Sequence, residues 1–175
     1  MEKKKIAAMI RKYNIVDNFD GRIRILNHHA VNEQIRQEIV AAKPEILAYL
    51  SEQREKVRAE NKRKEDNFNA IPGVQELREA RRQLAEFRRA FNRAFEQGDG
   101  RYPTKPNVDE EKLSQQYPAA VFALKVEYET GRSNYELSDI AQQAYDALRE
   151  GENWETVKAK YDAEKEKFVE RRIRD

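Results

Sequence analysis

The sequence predicts a mainly α protein: a small α-β-hairpin-α-α N-terminal module followed by an antiparallel three-helix bundle with a short accessory helix. Three observations carry this. Only six glycines and five prolines interrupt 175 residues, which leaves room for long helices. Apolar residues recur at spacings of three and four through most of the chain. One stretch, "NIVDNFDGRIRIL", breaks that period and alternates instead. Charged residues make up 38% of the chain and apolar ones 39%, so the buried core is modest, yet seven Phe, eight Tyr and one Trp argue against disorder. Cysteine is absent, which excludes disulfides, thiolate metal ligands and a cysteine nucleophile.

Residues 3–13 read as the first helix, with Ile6, Met9, Ile10 and Tyr13 on one face. Ile15, Asp17 and Phe19 then lead to Asp20-Gly21, after which Ile23 and Ile25 alternate with Arg22 and Arg24. Asp-Gly between two short alternating runs predicts a hairpin, because both turn positions tolerate positive φ. A second helix starts near Asn32 and buries Ile35, Ile39 and Val31. Pro44 fits the first turn of a third, where its missing N–H costs nothing, and Ile46, Leu47 and Leu50 supply that helix's apolar face. These elements form a module over residues 1–50. Residues 51–70, "SEQREKVRAENKRKEDNFNA", hold six basic and five acidic groups of interspersed sign, and only Val57 and Phe68 can pack. They read as a charged helical spacer extending the third helix.

"IPGV" at 71–74 opens a second domain over residues 71–175. Its first helix, 74–96, is expected to bury Val74, Leu77, Leu84, Phe87, Phe91 and Phe95. The segment "EQGDGRYPTKPNVD" is a loop, with two Gly and two Pro. A short helix near 110–117 carries Leu113 and Tyr117, and Asp109, Glu110 and Glu111 at its start complement the helix dipole. Pro118 opens a helix that can run to Arg149, about 48 Å at 1.5 Å per residue, with a kink where its apolar stripe drifts at Gly131. Gly151 ends it. Asn153 is a natural cap for the last helix, along which Trp154, Val157, Tyr161 and Phe168 share a face.

Net charge is +2 and unevenly spread. Residues 1–50 carry nine basic and six acidic groups, residues 71–106 eight and five, and residues 107–150 four and nine. One region is therefore basic and another acidic, and the chain is not a general polyanion binder. The densest basic stretch is "LREARRQLAEFRRAFNRAF", Leu77 to Phe95, with six arginines. At about 100° per residue, Arg78, Arg82, Arg89 and Arg93 fall within about 60° of one another, opposite Leu77, Leu84, Phe87 and Phe91. Arg81 and Arg88 flank that row. Such a row can follow a phosphate backbone without reading bases, or engage carboxylates of a partner protein. Glu79, Glu86 and Glu96 lie on or beside it and neutralise part of it. Three readings stay open: a basic binding surface, a merely solvated face, and pairing with the acidic 107–150 region.

Other chemistry is weakly signalled. His28 and His29 are adjacent, lack metal-ligand spacing, and read as turn residues, so neither a metal nor another cofactor is expected. No phosphate-binding glycine loop or Gly-x-Ser-x-Gly is present, and nucleophilic catalysis has no recognisable base, which points away from an enzyme. Trp154 with Tyr117, Tyr128, Tyr135, Tyr145 and Tyr161 could stack on single strands, but their helical spacing favours core packing. No apolar run reaches the roughly 20 residues of a membrane span. The N-terminus lacks the apolar segment of a signal peptide, so a cytoplasmic location and no membrane partner are expected. Long amphipathic helices are compatible with a homodimer.

Two resemblances add to this reading. The order helix, hairpin, helix, helix, with "DGRIRI" and "EIVAAKPEILAYL", resembles the TubC-type docking domain found at the N-termini of megasynthase subunits, over residues 3–50. That resemblance implies a small interaction or adaptor module, docking a partner segment along the hairpin at Arg22 and Arg24; a compact cap without a partner is the other reading. From Ile71 onward, "IPGVQELREA", "YPAAVFALKVE", "SNYELSDIAQQAYDAL" and "GENWETVKAKYDAE" resemble a largely unassigned family of small proteins of bacteriophages and related mobile elements. Accessory proteins of such elements include inhibitors of defence nucleases, anti-CRISPR proteins among them. The resemblance implies a non-enzymatic binding protein acting on a host nuclease or another protein–nucleic-acid complex. The alternatives it leaves are a DNA-binding accessory protein of phage replication or regulation, and a structural docking adaptor. It assigns no functional residue in this chain.

Overall fold

Two apolar clusters, separated along the chain, organise the protein. A computed structural model describes residues 2–18, 21–98, 100–132 and 135–174, without the side chains of His28, Tyr135, Glu136 and Arg174. In chain order the elements are α1 (Lys3–Tyr13), β1 (Ile15–Asp17), β2 (Ile23–Ile25), a 3-10 turn (His28–Ala30), α2 (Glu33–Ala41), α3 (Lys43–Asn69), α4 (Val74–Gln97), α5 (Glu110–Gln116), α6 (Pro118–Thr130), α7 (Tyr135–Glu150) and α8 (Trp154–Arg174). The protein is thus mainly helical, with one small antiparallel hairpin near its N-terminus. It divides into two units, Met1–Lys62 and Arg63–Asp175, and the division falls inside α3.

The first unit closes around Ile6, Tyr13, Ile15, Ile39, Ala42 and Ile46. α1 stops at Asn14, whose left-handed backbone (φ 49°) lets its N–H reach the carbonyls of Ile10 and Arg11. The hairpin pairs Ile15 with Ile25, Val16 with Arg24 and Asp17 with Ile23. Ile23 and Ile25 therefore share the face that packs on the core, and Arg24 takes the other. The strands end earlier than the sequence pattern suggests. Their connection spans 18–22, closed by the Asn18 N–H donating to the Arg22 carbonyl at 2.9 Å. Gly21 has the positive φ expected of it, +76°; Phe19 and Asp20 lie outside the described residues. Asn32 caps α2 by accepting from the Ile35 N–H at 2.9 Å.

The polar stretch expected as a spacer is helical, but both ends are tied in. Glu52 pairs with Lys3 at 2.9 Å, and Arg54 with Asp17 at 2.6 Å, within the first unit. Phe68 is 0% exposed in the core of the second, and the Asn67 side-chain amide donates to the Arg149 carbonyl at 2.9 Å. Val57, by contrast, is exposed.

The second unit is built around α6. Ala119, Ala120, Phe122, Ala123, Leu124 and Val126 are all buried, and together they occupy most of its circumference, as in a helix with neighbours on several sides. Pro118 opens it at the first helical position. Asp109 caps α5 by accepting from the Lys112 N–H at 2.9 Å. Asn153 caps α8 by accepting from the N–H groups of Glu155 and Thr156. The continuous helix expected over 118–149 is corrected: α6 ends at Thr130 and α7 begins at Tyr135. The break lets two out-of-phase apolar stripes bury against each other. Two of the carbonyls at the break accept from side chains, Glu127 from Thr130 Oγ1 at 2.7 Å and Thr130 from Ser138 Oγ at 3.0 Å. The bundle thus has four longer helices, α4, α6, α7 and α8, with α5 as the short accessory helix.

Candidate functional site

The six arginines sit on α4, and the structure divides them into two sets. Val74, Leu77, Ala80 and Ala94 are the buried positions of that helix. Measured from Arg78 at about 100° per residue, these fall near 320°, 260°, 200° and 160°. The buried line therefore slides around the helix from one end to the other. At the start of α4 it passes beside Arg78. By the last turns it has moved about 100–140° away from Arg93 and Arg89.

The proximal set is internally engaged. The Arg78 guanidinium donates to Asn69 Oδ1 at 2.6 Å and to Glu127 at 2.5 Å, has Glu65 at 3.6 Å, and lies 5.2 Å from the centre of the Phe68 ring. Arg81 pairs with Glu110 at 2.8 Å. Arg82 grips both oxygens of Glu79 one turn away, at 2.8 and 3.0 Å. The bonds from Arg82, and then from Gln83, hold the Glu79 carboxyl below the usual carboxylate range, and Glu79 in turn raises Arg82. For Arg78 and Arg81 the pairing with the acidic 107–150 region is realised.

The distal set differs. Among the described residues, Arg88, Arg89 and Arg93 make no ion pair; the Arg93 Nε donates weakly to the Arg89 carbonyl at 3.4 Å. All three are exposed. Beside Arg88, but about 120–160° around the helix from Arg89 and Arg93, lies a feature opposite to expectation. Phe91 and Phe95, read from the sequence as core, are 39% and 68% exposed. Steps of four residues turn about 40° per step, so a Phe87-Phe91-Phe95 row rotates one way while the buried line rotates the other. Tyr102, from the loop after α4, lies over Phe91 with ring centres 5.0 Å apart and planes at 29°, and is itself half exposed. Phe87 tilts against the other side of Phe91 at 5.9 Å. The two Gly and two Pro marked the loop from sequence; nothing marked its Tyr102 as a partner for α4.

Arg24 is exposed in β2, and Arg22 is exposed at the end of the hairpin connection with a bonded carbonyl. His29 is exposed on the 3-10 turn; the His28 side chain lies outside the described residues. Among the described residues no cluster of three His, Asp or Glu side chains could hold a metal ion. Tyr161 is buried, and Tyr117, Tyr145 and Trp154 pack against the same core. Tyr128 is exposed beneath the Arg132 guanidinium at 4.2 Å. Tyr135 lies outside the described side chains. Among the described residues no helix is long and apolar enough to cross a membrane.

A scan against protein-family models returns no match, and neither the curated proteins nor the solved structures hold a significant one.

Proposed function

We propose that the chain is a non-enzymatic binding protein of a bacteriophage or related mobile element. It acts in the host bacterial cytoplasm on a protein–nucleic-acid complex, and a CRISPR effector nuclease is the target class to test first. The observation that supports this reading is the distal half of α4, where Arg88, Arg89 and Arg93 are exposed and make no ion pair among the described residues. Exposed guanidinium groups without carboxylates of their own suit a surface that meets an anionic partner. The small net charge of +2 suits recognition of one defined surface better than indiscriminate DNA binding. Arg78, Arg81 and Arg82 are withdrawn from that surface, because their own carboxylates occupy them.

The test is capture by the tagged full chain from bacteria expressing a CRISPR effector complex, with and without nuclease digestion, followed by a cleavage assay. Capture should survive digestion, and cleavage should fall as the chain is added. Capture abolished by digestion, with cleavage unchanged, would favour a DNA-binding accessory role instead. A second reading, a docking adaptor, is favoured by one observation in the first unit: an apolar groove of about 490 Å³ lined by Ile15, Val16, Leu50 and Val57, with Arg54 and Arg58 at its rim.

A further inference from the structure

We infer that the cleft between α4 and the loop before α5 docks an acidic peptide segment of a partner protein, which sets an apolar side chain into the cleft and carboxylates on Arg88 and Lys105. The inference rests on the binding-protein reading above and names the partner's chemistry at one of its arginines.

The loop runs back along α4. Tyr102 lies over Phe91, and Glu110 reaches Arg81 at 2.8 Å, so residues 102–110 descend beside the helix from Phe91 to Arg81, a rise of about 15 Å. Pro103 and Pro106 fix φ within this segment and stiffen it. Between helix and loop lies a cleft of about 770 Å³, within the range of volumes that take a ligand. Leu84 and Phe87 from α4, with Pro106 and Val108 from the loop, are half-buried and supply its apolar lining. Arg88 lies about 40° around α4 from Leu84, on the same side of the helix. Arg88 and Lys105 line the cleft from its two walls; both are exposed, and neither makes an ion pair among the described residues. Two carboxylates also line it, and both are engaged: Asp109 accepts from the Lys112 N–H at 2.9 Å, and Glu110 holds Arg81. The cleft therefore combines two uncompensated cations with an apolar lining. A peptide that places a Leu, Ile or Phe side chain against Leu84 and Phe87, and its neighbouring carboxylates on Arg88 and Lys105, satisfies both features.

Other occupants fit less well. A nucleic-acid backbone leaves the apolar lining unused and runs past Asp109 and Glu110, which repel it. A second copy, on a twofold axis through the cleft, sets one concavity against another and leaves both unfilled.

The experiment is selection of a displayed library of random twelve-residue peptides on the immobilised full chain, followed by fluorescence anisotropy of the enriched peptide, labelled, against the full chain and its variants. Enriched peptides should carry two or more acidic residues beside a Leu, Ile or Phe. Arg88→Glu with Lys105→Glu should weaken the labelled peptide at least about tenfold, and added salt should weaken the parent's binding more than the variant's. Val108→Ser should weaken it roughly threefold with the salt dependence unchanged. Lys4→Glu with Lys5→Glu reverses the same charge on exposed positions of α1 and should leave binding within about twofold of the parent. Thermal melts check that each variant keeps its fold; if the reversed pair melts low, Arg88→Gln with Lys105→Gln takes its place. No enrichment, enrichment of basic or uncharged sequences, or an acidic peptide bound equally by parent and charge variant overturns the inference. Oligothymidine bound at low salt and lost in the charge variant, with no peptide enriched, assigns the cleft to nucleic acid. A dimer in sedimentation that the same variant dissolves assigns it to a second copy. Either result also overturns the inference. Capture of the effector complex without peptide enrichment sinks this inference and keeps the proposed function; enrichment of acidic peptides without capture does the reverse.

Discussion

Arg78 on α4 and Glu127 on α6 meet at 2.5 Å, forty-nine residues apart in the chain, with Asn69 at 2.6 Å on the same guanidinium. The contact joins three helices of the second unit, since Asn69 closes α3. Both side chains keep about a third of their area in water, so solvent discounts the pair. Arg78→Met, which keeps an apolar stem over Phe68, should cost about 1 kcal/mol. For a chain of this size that lowers the melting temperature by roughly 2–4 °C. Arg89→Gln, made on the unpaired face, should stay within about 0.5 kcal/mol of the parent. Circular dichroism melts of the two variants decide this; equal effects would mean that α4 does not divide as described.

Gly73 is the tightest glycine in the second unit. Its φ is +84°, and a Cβ there would lie 2.1 Å from Cγ and 2.3 Å from Cβ of Tyr117. Those atoms are at the root of the side chain and cannot swing aside. Gly73→Ala should therefore cost about 3 kcal/mol or more, combining left-handed strain with overpacking. A melting curve that moves by only a degree or two would contradict the packing of the α3–α4 corner against Tyr117.

Gly21 makes the opposite case. Its φ of +76° is as demanding, but a Cβ there would meet nothing within 4 Å. Only backbone strain opposes substitution, so Gly21→Val should cost about 1–2 kcal/mol. Gly21→Asn should cost distinctly less, because Asn visits this region readily. Equal melting temperatures for the parent and Gly21→Val would rule out this hairpin connection.

Tyr161 carries the pH dependence. Burial, then its hydrogen bond to the Glu129 carboxylate, pushes the phenol well above its ordinary value of 10. The folded protein therefore holds a proton that the unfolded chain releases. This stability is intact below pH 10 and is lost as pH climbs above it. Tyr161→Phe removes the titrating group, so its melting temperature should fall less steeply between pH 10 and 11 than the parent's. Tyr145, also raised chiefly by burial, should leave a residual slope. Parallel parent and Tyr161→Phe curves would show that the phenol does not sit in this environment.

Local rules made much of the fold legible in the sequence. Asn153 caps the helix it precedes, Asn32 and Asp109 stand where their helices were expected to start, Pro118 opens α6, and Gly21 has the positive φ its turn requires. Each depends on residues within a turn of itself. What stayed illegible depends on distant partners. Phe68 could be read as one of two residues in its polar stretch able to pack, but nothing local distinguished it from Val57, which stays exposed, as the one a core forms around. The helix ending at Thr130 is broken by the packing of α6 on α7, beyond what the single Gly131 announces. The arginine row was drawn on a fixed face of an ideal helix, whereas the buried line of α4 slides. That slide draws Arg78 toward Glu127 and turns Phe91 and Phe95 outward, and no local pattern encodes it.

The division of α4 is the central claim, and one comparison tests it most directly. Two triple variants are made, Arg78→Gln with Arg81→Gln and Arg82→Gln, and Arg88→Gln with Arg89→Gln and Arg93→Gln. Each is measured for capture of the effector complex and for thermal stability. The distal triple should melt like the parent and lose capture, whereas the proximal triple should melt lower and, below its transition, capture as the parent does. Full capture by the distal triple, or loss of capture by a proximal triple with an unchanged melt, would contradict that division.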